Sequence, residues 1–153
     1  MARIESRAVG RTAGAAGLVY LLLFPIPVVC FLAALVTDAV YASTGFLMWL
    51  HFSEWLLAAG LAFGAVTLLI LIIQFLVRST IREAPFGWAH FALFCVALAV
   101  ELANSFVHTI DGWTAVVPTG LTLSIIGTVL ALAAVLTLVR IPVTWVERRE
   151  VRA

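Results

Sequence analysis

Four stretches of this chain stay apolar for long enough to cross a lipid bilayer, and short polar breaks separate them. They read approximately 18–40, 48–77, 88–107 and 115–139. A spanning helix needs about 20 predominantly apolar residues, so each stretch predicts one. The pattern predicts an all-α fold, an antiparallel up-down bundle of four transmembrane helices, in a single membrane domain over residues 1–153. A final segment, 141–153, alternates Val143, Trp145 and Val146 with Glu147, Arg148, Arg149 and Glu150, and is expected to lie along the membrane surface.

The breaks and irregularities refine this picture. Pro25 and Pro27 remove two backbone donors from the first helix and predict a kink near mid-membrane. Prolines in a span need neighbours to satisfy the freed carbonyls, which places this helix inside the bundle. The turn from Tyr41 to Gly45 is short enough to join antiparallel neighbours. The connection 78–87 holds Arg78, Arg82 and Glu83 with the breakers Pro85 and Gly87. Trp49, Trp55, Trp88, Trp113 and Trp145 fall near predicted helix ends, where interfacial aromatic residues belong.

Composition and charge agree. The chain is 64% hydrophobic and 11% charged, whereas soluble domains are roughly 45–50% apolar and about 25% charged. All nine basic residues are arginines, and topology puts them on one side: Arg3, Arg7, Arg11, Arg78, Arg82, Arg140, Arg148, Arg149 and Arg152. With Glu5, Glu83, Glu147 and Glu150 that side carries a net +5. The other side holds Asp38, Glu54, Glu101 and Asp111, a net −4. Cytoplasmic loops attract the arginine excess, so both termini are expected on the cytoplasmic side of the membrane. The first apolar run is too long for a signal-peptide core and reads as a retained helix. Cys30 and Cys95 lie within apolar runs and read as ordinary buried thiols.

The third helix is the most informative. His90, Phe94, Ala97, Glu101, Asn104 and His108 follow steps of four, three, four, three and four. At about 100° per residue they fall within about 40° of one line. Ionisable groups are costly in lipid, so this stripe must face protein or water. The plain alternative to function is a polar seam that holds the bundle together.

Depth along the helices brings further residues to the same level. Glu54 lies about 9 Å below the outer start of the second helix, and Glu101 about as deep in the third. Asp38 ends the first helix there. Asp38, His51, Glu54, Glu101 and His108 are therefore candidates for one pocket in the arginine-free half. Such imidazoles and carboxylates suit a divalent transition metal, a proton relay, or a haem held between His51 and His108. His90 stands apart near the cytoplasmic end of its helix. A lone histidine there most often bonds a neighbouring helix, and as a cofactor ligand it would need a partner at its own depth.

Small residues mark close packing. Gly60 and Gly64 with Thr67, and Gly120, Ser124 and Gly127 with Ala131, form two smooth patches. In lipid such patches let backbones approach, either within a chain or across a homodimer. On the second helix the patch lies about 100–180° around from His51 and Glu54. There is no glycine-rich phosphate loop, no CxxC, no HExxH and no serine triad. The arginines sit at lipid-facing ends, which gives nucleic-acid binding no support.

The run Phe24-Pro25-Ile26, then Thr37-Asp38, Gly87-Trp88-Ala89-His90 and Pro118-Thr119-Gly120-Leu121-Thr122-Leu123-Ser124 resembles an uncharacterised bacterial family of predicted four-helix inner-membrane proteins. The resemblance covers about residues 18–146 and implies fold and location more than activity. Members commonly carry a histidine shortly before the FPI segment, which with the GWxH histidine would suit haem or metal. Here that position is Leu18. Members often end the last helix in a glycine-rich segment, where this chain reads Val139-Arg140-Ile141-Pro142.

The leading expectation is a small membrane subunit, not an enzyme on its own, that binds a metal or haem in the outer pocket. It would act with a larger redox partner in the membrane or periplasm. The alternatives are a proton or cation pathway along the third-helix stripe, and a structural membrane anchor.

Overall fold

The structure, a computed structural model, describes residues 15–110 and 113–141. The first span is built from α1 (Ala15–Leu23) and α2 (Pro25–Thr44), interrupted at Phe24. Pro25 and Pro27 explain the break, since neither can donate to the preceding turn. It falls about a third of the way along the span, nearer the arginine-bearing end than the expected mid-membrane position. Gly45 closes α2 in the left-handed conformation (φ 71°), its N–H donating to Tyr41 O at 2.8 Å.

The second span is α3 (Leu47–Val77), followed by a single short helix α4 (Ser79–Glu83). A tight turn from Ala84 to Gly87, closed by a 3.0 Å bond from Gly87 N–H to Ala84 O, leads into α5 (Gly87–His108). A 3-10 turn (Trp113–Ala115) precedes α6 (Thr119–Arg140). The fourth helix thus begins four residues later than the apolar pattern suggests. Pro118 accounts for this, because the residue before a proline is pushed out of the helical region.

Five of these helices, all but α4, make four spans with mean hydropathies of 2.6, 2.7, 1.7 and 2.4. The third is lowest because it carries the polar stripe. The spans form a ring in which α2 neighbours α3 and α6, and α5 neighbours the same two. Residues of α2 and α5 therefore meet only across the centre of the bundle.

The distribution of polarity is that of a protein folded in lipid. Leu22, Val29, Phe63, Leu69, Ile73, Val129 and Leu136 are among the many large apolar side chains exposed on the outer surface. Buried among the helices instead are Asp38, Ser53, Thr67, Gln74, His90, Glu101, Asn104, His108 and Ser124. In lipid a polar group loses its hydration and must find its partners inside the protein.

The small residues work within the chain. A methyl at Gly60 would meet Phe31 Cε1 at 2.5 Å, and one at Gly64 would collide with Leu98. Gly120 makes room for Ala115 O and the His108 ring, and Gly127 for the Glu101 carboxyl. The two patches therefore pack against neighbouring helices of the same chain. Cys30 and Cys95 are free and half-buried.

Candidate functional site

The stripe on α5 is buried along its whole length, with His90, Phe94, Ala97, Glu101, Asn104 and His108 all 2% exposed or less. Its two ends differ in chemistry. Near the arginine-bearing end, His90 receives a short hydrogen bond from Tyr20 OH at Nε2 and donates from Nδ1 to Ala134 O at 2.9 Å. The ring is complete as a neutral imidazole, with one nitrogen accepting and the other donating. Phe24 and Phe94 pack on it, with ring centroids 5.1 and 6.4 Å away. This histidine bonds two neighbouring helices, α1 and α6. Tyr20, two residues from Leu18, supplies its partner at that depth.

The arginine-free half holds a larger cluster on the bundle axis. Asp38 of α2 and His108 of α5 meet there, Oδ1 to Nε2, at 3.0 Å. Ser53 of α3 donates to the same carboxylate oxygen, and Ser124 of α6 donates to Oδ2. All four spans thus converge on one aspartate. Asn104 Nδ2 donates to Ser124 Oγ at 2.8 Å and to Glu101 Oε2 at 3.1 Å, which extends the network one turn deeper.

The proton count in this cluster follows from geometry. His108 Nδ1 faces the carbonyl of Asn104 at 3.0 Å, an acceptor only, so Nδ1 carries hydrogen. Nε2 then faces a carboxylate oxygen, also an acceptor. Two facing acceptors at 3.0 Å require a proton between them, held on the imidazole or on the aspartate. Among the described residues no hydrogen-bond donor reaches Glu101 Oε1 or Asn104 Oδ1, two further buried oxygens of this cluster. No described arginine or lysine enters the cluster, so protons are its available countercharge.

The cluster opens to one side. A cavity of about 310 Å³, lined by Glu54, Ser105, His108 and Thr109, leads from the arginine-free surface to the edge of the His108 ring. At about 30 Å³ per water it has room for roughly ten. In the other direction Phe31, Leu57, Phe94, Ala97 and Leu98 fill the bundle between Glu101 and His90.

The five expected pocket residues do not all gather. Asp38, Glu101 and His108 converge, as depth and helix phase predict. His51 and Glu54 pair with each other instead, at 3.1 Å, on the exposed face of α3. Helix rotation explains this, since the face that meets the bundle carries Leu50, Ser53, Leu57 and Gly60. Glu54 reaches only the cavity wall, and His51 points away. Among the described residues no three His, Cys, Asp or Glu side chains are placed to hold a metal ion. Ser53 and Ser124 were not legible as site residues from ionisable chemistry, yet both belong to stripes of small residues that run toward the outer end of their helices. Asp111 and the segment 142–153 lie outside the described residues, as does the stretch with Arg3, Arg7 and Arg11.

Fold and site together define a membrane protein with four apolar spans and a buried polar centre. The chain belongs to the family described as predicted membrane protein (DUF2231), whose model matches residues 21–140. No curated protein and no solved structure matches it. The match covers the FPI, GWxH and PxGLxLS-like segments, in agreement with the resemblance drawn from them.

Proposed function

We propose that this protein is a proton-binding membrane subunit, loaded from its arginine-free face, with Asp38 and His108 as the primary site and Glu101 as a deeper one. The observation that carries this reading is the 3.0 Å approach of His108 Nε2 to Asp38 Oδ1 while Nδ1 is committed to a backbone carbonyl. The pair needs a proton that the Tyr20–His90 pair does not. The adjoining cavity gives that proton a way in and out, and the apolar packing below Glu101 favours loading from one side over conduction through the bundle.

Because the other three spans all bond to Asp38 of the first, loss or gain of the proton changes the contacts of every span at once. That suits a subunit that reports outer proton activity to a larger membrane or periplasmic partner. On this reading the protein resides in the bacterial inner membrane with both termini cytoplasmic. A metal or haem in the same place has less support, since Asp38 and His108 already bond to one another and to hydroxyls.

Replacing Asp38 with Asn tests the reading. The amide can donate to His108 Nε2 directly, so D38N should fold without the shared proton. A lightly buffered titration of purified protein, followed with an indicator dye, should show the wild type exchanging about one more proton per chain than D38N. Superimposable curves for two folded proteins would exclude the proton site and leave a structural anchor.

A further inference from the structure

A second site lies at the opposite end of the molecule, on the lipid-facing side of α3 and α5. A groove of about 180 Å³ runs there between Ile72, Phe75, Leu76, Arg82, Trp88 and Phe91. Its wall is a set of packed rings. Phe75 and Phe91 stack at 4.7 Å, and Trp88 meets Phe75 edge-on at 5.2 Å. Interlocked rings keep such a groove from closing on itself. Leu76 and Trp88 are 74% and 60% exposed, so the groove opens outward from the bundle, not into it.

Arg82 is the one charged residue of this lining. Its Nη1 donates to Phe75 O and to Leu76 O, the carbonyls left over near the end of α3. These bonds hold the guanidinium at the mouth of the groove. Among the described residues none engages Nε or Nη2. An arginine with donors in hand, a tryptophan beside it and an apolar trough leading toward mid-membrane match a phospholipid from headgroup to acyl chain.

We propose that this groove binds one anionic phospholipid, its phosphate on Arg82 and an acyl chain along Ile72, Phe75 and Phe91. Charge selects the headgroup: Arg78, Arg82 and Arg140 all lie at this end of the bundle, against Glu83 among the described acids. A free phosphate would use the arginine but has no need of the trough, and a neutral lipid would use the trough but gain little from the arginine.

The test uses the full chain in phosphatidylcholine vesicles, with a small fraction of lipid brominated on its acyl chains. The difference between wild type and W88F isolates the quenching of Trp88. Brominated phosphatidylglycerol should quench Trp88 at a mole fraction about five-fold lower than brominated phosphatidylcholine. R82Q should abolish that preference and R82K should retain most of it, which separates charge from the capping of α3. I72F, which narrows the trough with the arginine in place, should weaken quenching by both lipids. Equal quenching by the two lipids in the wild type overturns the proposal, as does a preference that survives in R82Q. Displacement of the brominated lipid by millimolar inorganic phosphate would assign Arg82 to a free anion and overturn the lipid as well.

Discussion

At the residue scale the site depends on contacts that leave no spare volume. Glu101 lies against Gly127, where any added methyl would collide with its carboxyl. Overpacking in a filled interior typically costs about 1–3 kcal/mol. Gly127→Ala should therefore destabilise the protein by about that amount, and Glu101→Ala in the same chain should recover much of it by vacating the space. A double-mutant cycle by reversible unfolding in mixed micelles measures the coupling. Strict additivity would mean that the two residues do not touch.

Much of this site was legible from single residues. The 3.6-residue period put His90, Glu101, Asn104 and His108 on one buried line, and Asp38 at the right depth to meet them. His51 and Glu54 had the right depth and the wrong rotation. The same helical wheel that set the glycine patch about 100–180° from them already implied that they would turn outward once that patch closed the bundle. Ser53 escaped notice for the opposite reason. It is neutral and stands between two ionisable neighbours, although it lies seven residues before Gly60 and so on the packed face. The second ring partner of His90 was equally hidden, because a tyrosine near a helix end reads as an interfacial anchor.

At the scale of elements, the strongest local anomaly is the turn that leads into α5. Phe86 adopts φ 66° and ψ 1°, a left-handed conformation that costs a residue with a side chain about 1–2 kcal/mol. With Pro85 before it and the bond from Gly87 N–H to Ala84 O, the geometry is that of a type II turn, whose third position favours glycine. In return the Phe86 ring carries the Arg140 guanidinium 5.9 Å from its centroid, a contact that contributes about 0.5–1 kcal/mol when exposed. The strain exceeds the contact. Phe86→Gly should raise stability slightly, by up to about 1 kcal/mol, in the same unfolding assay. A loss would show that the Phe86–Arg140 contact outweighs the backbone strain. Helix lengths were readable to within a few residues from apolar runs. Their exact ends were not, because Pro118 and the Pro25–Pro27 pair reset them through backbone geometry that hydropathy does not register.

For the whole molecule, polarity is turned inward and the apolar surface faces lipid, as four long apolar runs require. The order of helices around the ring was not readable. Spans that are apolar on nearly every side carry little directional signal, and the ring order rests on where small residues and hydroxyls let backbones meet. Arginine placement predicts the orientation. A single cysteine at Ser79, in a chain with Cys30 and Cys95 replaced by Ala, should react with an impermeant maleimide only after bacterial cells are opened. One at Ser43 should react in intact cells. The reverse pattern would place the Asp38–His108 cavity on the cytoplasmic side and invert the direction from which its proton comes.

The depth of Glu101 has an electrical consequence. It lies seven residues below His108 on α5, about 10 Å along the helix, or roughly a third of a 30 Å hydrocarbon core. A full charge crossing the membrane is worth about 2.3 kcal/mol per 100 mV. On the proposed reading, a proton that travels from the cavity to Glu101 crosses about a third of that field and gains or loses about 0.8 kcal/mol per 100 mV. Occupancy of the deep carboxyl would then follow the membrane potential as well as the outer proton concentration. The two halves of a proton-motive force would be registered at one side chain.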